Sequence, residues 1–446
     1  MLVVFGDNVL IFSVKYIQFN QSIDIERAWS RWYKRAIRRS ADQLIGAENW
    51  IRRYPQRIYL DPHCQHNFPI FIPDSSRIRV HRVVVALGVS DACSAYFGGN
   101  SLGSLVIQSD LEGDSHYLHP FRIGHVNPTK GFVHVFDDVT LDKVLGELDT
   151  ISDFVTYISK REAFLSRKKP VVVAAGEEQL ISVYATQLNA NGEHDFVLPV
   201  EAGEAPDGVY IAEDFWDDMI HHPQYIAKKE ADKISYVWDR LIEHFIKYGG
   251  IHDETGHRHQ TASDLEPGLR FMASEPRVRR RQLGYALVHL LETAPQDLRA
   301  TRVVYSDDFP EKAYLFLVLP PIENVQYDEY REFRRALLLA YCKVAKLLCS
   351  NASFIIGIAT ENSRAKETSE DLVALDVRDW TKARQEEAQQ IQKEASLLLD
   401  ENIHMTKGRT PEWPEVLKPP AAFPSGVNFN RKQRRALESK RRHHRK

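Results

Sequence analysis

The chain has 446 residues, 43% of them hydrophobic and 27% charged, and a formal net charge of −3. This is ordinary globular usage in a chain well past the ~250 residues at which single cores stop growing, so wholesale disorder is excluded and two or three domains are expected. The charge is unevenly placed: residues 431–446 carry nine Lys and Arg against Glu438 alone, a net of +8 that leaves −11 on everything before them.

In chain order, residues 2–5 and 9–14 read as two strands around a Gly-Asp-Asn turn. A long helix is expected from Ile25 to Arg53, where Trp29, Trp32, Tyr33, Ala36, Ile37, Leu44, Ala47 and Ile51 recur every three or four residues. Arg31, Lys34, Arg35, Arg38 and Arg39 fall mostly on the rest of its surface, and Pro55 ends it. Strands are expected at RIYL (57–60), IRVHRVVVAL (78–87), SLVIQS (104–109) and FVHVFD (132–137), then a second long helix from Leu141 to Leu165. A boundary is placed at 167–170, giving a first domain of residues 1–166.

Beyond Pro170, VVVAAG (171–176) and ISVYAT (181–186) read as paired strands and Gln224–Tyr248 as a helix, a middle segment of residues 170–248. Residues 249–268 are polar and read as a loop. A third region, 270–400, reads as a helix near 276–292, strands TRVVYS and YLFLVLP, a helix near 327–349, strands FIIGIAT and DLVALD, and a last helix near 380–399. Strand and helix do not strictly alternate, so the fold class is mixed α/β of the α+β kind. Residues 406–446 comprise a proline-rich linker and a basic tail that lacks any apolar stripe and is expected to be disordered.

Four cysteines, Cys64, Cys93, Cys342 and Cys349, form no CxxC pair, which argues against a zinc ribbon or a disulfide framework and suits a cytoplasmic location. The apolar opening carries Asp7 and Lys15 and reads as a hairpin, and no apolar run reaches the ~20 residues of a membrane span. No G-x-S-x-G, P-loop or G-x-G-x-x-G is present, and Gly98 to Gly103 reads as a turn.

The hairpin VVFGDNVLIFSVK, the helix after it with Ser40, Gln43 and Ala47, and the stretches GEEQL (176–180) and DKISYVWDRLIEHF (232–245) resemble bacterial nuclease-related proteins of the restriction-endonuclease-like, PD-(D/E)xK type. That resemblance covers about half of the chain. It implies a restriction-endonuclease-like core in which two carboxylates hold Mg²⁺ and a lysine orients water or stabilises charge, in a protein of a defence locus or mobile element. Lys15 matches the lysine, Gln43 a supporting polar residue, and Asp7 is the nearest acid, although it sits in the turn. Ser13 and Val14 stand where a carboxylate is wanted, and the first metal Asp would lie at or before Met1. The resemblance therefore implies a core truncated at its N-terminus or degenerate, inactive as given. The alternative for Lys15 is a solvated lysine at a strand end.

The other candidates are weighed on their residues. His252, Asp253, Glu254, His257 and His259 have metal-ligating chemistry but no standard spacing. Glu177 and Glu178 follow a strand and suit either acid–base work or the first turn of a helix. Arg277, Arg279, Arg280 and Arg281 suggest a phosphate-binding stripe or a solvated helix face. In the tail, Arg431, Lys432, Arg434, Arg435, Lys440, Arg441, Arg442, Arg445 and Lys446 are the expected nucleic-acid contacts. Two functions follow: a nucleic-acid-associated, restriction-endonuclease-like protein, or a non-enzymatic protein-interaction module tethered to nucleic acid by its tail.

Overall fold

A computed structural model describes residues 1–99, 101–197, 207–248, 262–362, 364–365, 369–399, 403–406 and 411–414. The basic tail with its nine cations, most of the linker, and the histidines of residues 252–259 lie outside the described residues. The chain divides into two compact units between Ile226 and Ala227. The boundary expected at 167–170 falls inside the first of them.

Unit one opens with β1 (Leu2–Phe5) and β2 (Asn8–Tyr16), an antiparallel hairpin as the sequence suggests. The first long helix is α1 (Ile25–Tyr33), a π-helical turn over Lys34–Arg38, and α2 (Arg39–Arg53). Asp24 starts it by accepting from the Arg27 amide at 3.1 Å. Then come β3 (Arg79–Leu87), α3 (Ser90–Phe97), β4 (Val106–Glu112), β5 (Arg122–His125) and β6 (His134–Phe136). The order β1-β2-β3-β6 forms one mixed sheet, in which β2, β3 and β6 run parallel.

Its two faces follow from period-two alternation. Val9 and Ile11 of β2 with Val84 of β3 face α2, where Arg82 ion-pairs with Glu48. Asn8, Leu10 and Phe12 share the opposite face with His81, Val83 and Val85 and with His134 and Phe136 of β6, by the in-register pairs Leu10↔His81 and Val83↔His134. This second face is covered by a helix that the sequence places at 141–165 and the structure splits into α4 (Thr140–Glu147) and α5 (Ile151–Leu165). The break has a local cause, because Thr150 caps α5 by accepting from the Asp153 amide. Phe154 of α5 packs on Phe12 and Phe136, with ring centroids 6.5 and 6.4 Å apart.

The remainder of unit one corrects the sequence reading twice. RIYL is no strand; only Tyr59 makes an isolated bridge, to Asn67. VVVA forms β7 (Val171–Ala174), but ISVYAT belongs to helix α6 (Glu177–Thr186). Nine of its residues, 177–185, are buried, so there is no polar face to reveal a helical period. β8 (Gly208–Ile211) completes a second mixed sheet, β5-β4-β7-β8, and α7 (Phe215–Ile220) follows. The helix expected over 224–248 is broken into α8 (Pro223–Asp232), a short 3-10 turn, and α9 (Tyr236–Tyr248).

Unit two continues with α10 (Ala262–Ala273), α11 (Arg277–Thr293), β9 (Ala300–Tyr305), β10 (Lys312–Leu319), α12 (Tyr327–Leu348), β11 (Phe354–Glu361), β12 (Glu370–Asp376) and α13 (Lys382–Glu394). Its sheet runs β12-β11-β10-β9, parallel at the centre, where α12 makes the crossover, and antiparallel at both edges. Tyr314, Phe316 and Val318 pack on one face with Trp238 of α9 and Leu283 and Leu287 of α11. Ala313, Leu315 and Leu317 pack on the other with Leu338 and Val344 of α12. The protein is thus of mixed α/β class, and no helix among the described residues is long and apolar enough to cross a membrane.

Candidate functional site

The residues expected to form a metal site on the hairpin are not brought together. Asp7 sits in the turn and pairs with Arg77 at 3.1 Å. Lys15 is near the far end of β2, opposite Ala86, so eight residues of extended chain place the two some 25 Å apart. Gln43 is on the exposed side of α2. Chemistry that needs a carboxylate and a lysine on one ion has no basis in that set.

The arginine stripe expected at the start of α11 is also corrected. Arg277, Arg279, Arg280 and Arg281 are all buried. Arg277 and Arg280 share the Asp239 carboxylate, with Arg277 Nη1 at 2.6 Å. Arg281 donates to the Glu412 carbonyl at 2.9 Å, and Arg279 to Gln282 at 2.8 Å. These guanidinium groups serve the interior of unit two, where Asp239 and Asp232, remote in sequence, neutralise Arg277, Arg280 and Arg281.

Two neighbouring sets of titratable side chains lie in the interior of unit one instead. In the first, His81 of β3, His134 of β6 and Glu162 of α5 each offer a ligating atom, and the three atoms lie within 4.8 Å of one another. His81 and His134 are diagonal neighbours on adjacent parallel strands, with ring centroids 6.4 Å apart. Their outer nitrogens are held: His81 Nε2 is 3.0 Å from Asn8 Oδ1, and His134 Nδ1 is 3.3 Å from Arg161 Nη1. Their inner nitrogens, His81 Nδ1 and His134 Nε2, are buried with no hydrogen-bond partner. Glu162 Oε2 stands 3.7 Å from His134 Nε2, beyond hydrogen-bond range.

Arg161 is fixed from its other side. Glu177, the first residue of α6, takes its Nε and Nη2 at 2.7 Å each, and Tyr157 donates to the same carboxylate. Burial resists the Arg161 charge, but Glu177 outweighs it and raises the guanidinium pKa. Burial lowers both imidazoles, His134 to about 4, so both rings are neutral at pH 7. The His134 ring facing it holds the Glu162 carboxyl below its usual range.

The second set joins Asp137, at the end of β6, to Glu178 and Ser104. Asp137 accepts the amides of Leu105, Val139 and Thr140 and so fixes the start of α4. Glu178 accepts from Ser104 Oγ at 2.7 Å. Burial raises Asp137 to about 6 and Glu178 to about 7. Next to it, Asp138 gathers the amides of Gly88, Val89 and Ser90 at the start of α3. The sequence singles out Glu177 and Glu178, whose place in the first turn of a helix is as anticipated, but not His81, His134 or Glu162. The usable signal was two histidines of equal parity on strands that pair. Comparison of the chain with protein-family models, curated proteins and solved structures gives no match.

Proposed function

We propose that this chain is a cytoplasmic nucleic-acid-associated protein of the restriction-endonuclease-like kind, catalytically inactive at its hairpin, that holds nucleic acid through its phosphates. The observation that carries this reading is the cationic face of the first long helix. Arg27, Arg31, Lys34, Arg35 and Arg39 are all exposed, with Arg27, Arg31, Arg35 and Arg39 at steps of four and Lys34 three after Arg31, which keeps them along one side. Their charge stands out from a body of net −11, and the tail adds nine further cations. Each cation that meets a phosphate releases a counterion, so the binding is salt-dependent and indifferent to sequence. The kinship rests on the hairpin, the helix after it, and a third strand parallel to β2.

The test is fluorescence anisotropy of a mixed-sequence duplex against salt concentration. Removing residues 430–446 weakens binding about tenfold or more at moderate salt and flattens the salt slope. Charge reversal at Arg31, Lys34, Arg35 and Arg39 reduces it further. Unchanged affinity in both variants rejects the reading. With Mg²⁺ the full chain is expected to leave DNA and RNA intact; cleavage abolished by Lys15→Ala would restore a nuclease.

A further inference from the structure

We propose that His81, His134 and Glu162 bind a divalent transition-metal ion of the zinc class, in a site separate from the hairpin residues and from the cationic helix face. Two buried nitrogens without partners, His81 Nδ1 and His134 Nε2, are the ground for it. Buried polar atoms are costly to leave unpaired, so two of them side by side call for a shared partner. A carboxylate completes the group, and all three donor atoms lie within 4.8 Å.

The surroundings are those of a ligand set. Asn8 Oδ1 accepts from His81 Nε2, which fixes the tautomer that leaves the Nδ1 lone pair available, as the outer contacts of metal-bound histidines do. A tetrahedral ion with bonds of ~2.0–2.1 Å sets its donors roughly 3.3 Å apart. His134 Nε2 and Glu162 Oε2 are already at 3.7 Å, and Glu162, with 42% of its side chain exposed, is the member free to swing inward. The two histidines are fixed by β3, β6 and the cover of α5.

The choice of metal follows from the donors: Zn²⁺, Co²⁺ and Ni²⁺ favour imidazole, whereas Mg²⁺ keeps its water and prefers oxygen. Coordination at Nε2 by a neutral ring places the His134 ring proton on Nδ1, and Arg161, held by Glu177 through Nε and Nη2, gives up its 3.3 Å contact there. Three protein ligands leave a fourth position on the side of Glu162 for water or a small anion, as in zinc sites with an open coordination place.

Other side chains also attract such ions: His63, Cys64 and His66 in one exposed loop, the histidines of 252–259, and His443 and His444. The experiment therefore uses the full chain with His252, His257, His259, His443 and His444 changed to Ser, stripped by chelator and titrated with Co²⁺ and, by competition with a chromophoric chelator, Zn²⁺. The expected result is one tight ion per chain, visible Co²⁺ bands of tetrahedral intensity without a thiolate charge-transfer band, and a rise in Tm. Glu162→Gln, at a half-exposed position that tolerates the change, lowers Co²⁺ affinity at least tenfold, and His81→Ala, checked by circular dichroism, abolishes the tetrahedral bands. Asn8→Ala keeps the stoichiometry and weakens binding about tenfold. Failure of the background chain to take up an ion, or Co²⁺ affinity unchanged by Glu162→Gln, overturns the proposal; a thiolate band would assign the ion to Cys64. Nucleic-acid binding is measured separately, and its loss or survival leaves this result intact.

Discussion

Arg334→Met is expected to destabilise unit two by about 3–5 kcal/mol, the cost of breaking a buried ion pair by removing one partner. Arg334, on α12, is fully buried and reaches Glu361 at 2.6 Å and Asp371 at 2.7 Å. Asp371 is itself fully buried and also takes Arg331 at 2.7 Å and Arg335 at 3.3 Å. Burial works against its ionisation, but Arg334 and Arg331 outweigh burial and hold the carboxyl below its usual range. Ser369 closes the group by donating its amide to Glu361 at 2.7 Å and accepting from Arg334 at 2.8 Å. The network ties α12 to the ends of β11 and β12. Its loss should therefore appear first as faster amide hydrogen exchange in β11 and β12, with a lower denaturation midpoint for unit two. Arg334→Met combined with Asp371→Leu should be less damaging than the two single changes added together, because it leaves fewer buried charges unpaired. A single-variant loss below about 1 kcal/mol would show that water, not protein, satisfies these groups.

The same network marks where the sequence is silent. β10, β11 and α12 are legible because their apolar residues alternate or recur at helical spacing, and the interior imposes those periods directly. Which arginine meets which acid is not legible, since Arg334 and Asp371 are 37 residues apart and nothing local distinguishes them from solvated neighbours. The arginines from Arg277 to Arg281 failed as a surface stripe for that reason: their acids, Asp232 and Asp239, read equally well as exposed helix residues. ISVYAT failed through burial, because a helix wrapped on all sides lacks the polar positions that separate a period of 3.6 from a period of two. At the candidate metal centre, His81, His134 and Glu162 are separated by 53 and 28 residues. Their meeting depends on β3 pairing parallel with β6 in one register and on the cap at Thr150 that starts α5 afresh. The cationic face of the first helix was legible from helical spacing, except for Arg38, which is half-buried and donates to the Val126 carbonyl.

Glu178→Gln is expected to stabilise unit one by roughly 2–3 kcal/mol at pH 8 and to change little near pH 4. Burial raises the Glu178 carboxyl from an ordinary 4.5 to about 7, and each pH unit of that interval is worth about 1.4 kcal/mol. The folded carboxyl keeps its proton to a higher pH than the unfolded one. Its favourable contribution is complete below about pH 4 and is lost as the pH rises through 7. Asp137, raised to about 6 by burial, acts in the same direction over a slightly lower window. Glutamine removes the titration while retaining an oxygen that accepts from Ser104 Oγ. The wild-type denaturation midpoint should therefore fall between pH 4.5 and 8, and the Glu178→Gln midpoint should fall less. Asp137→Asn gives a contrasting result at low pH, because that carboxyl accepts three amides around the start of α4; its loss costs about 1–2 kcal/mol near pH 4, and less at pH 8, where removing the titration offsets it. Parallel profiles for wild type and Glu178→Gln would mean that Glu178 is ionised in the folded protein at pH 7 and is reached by water.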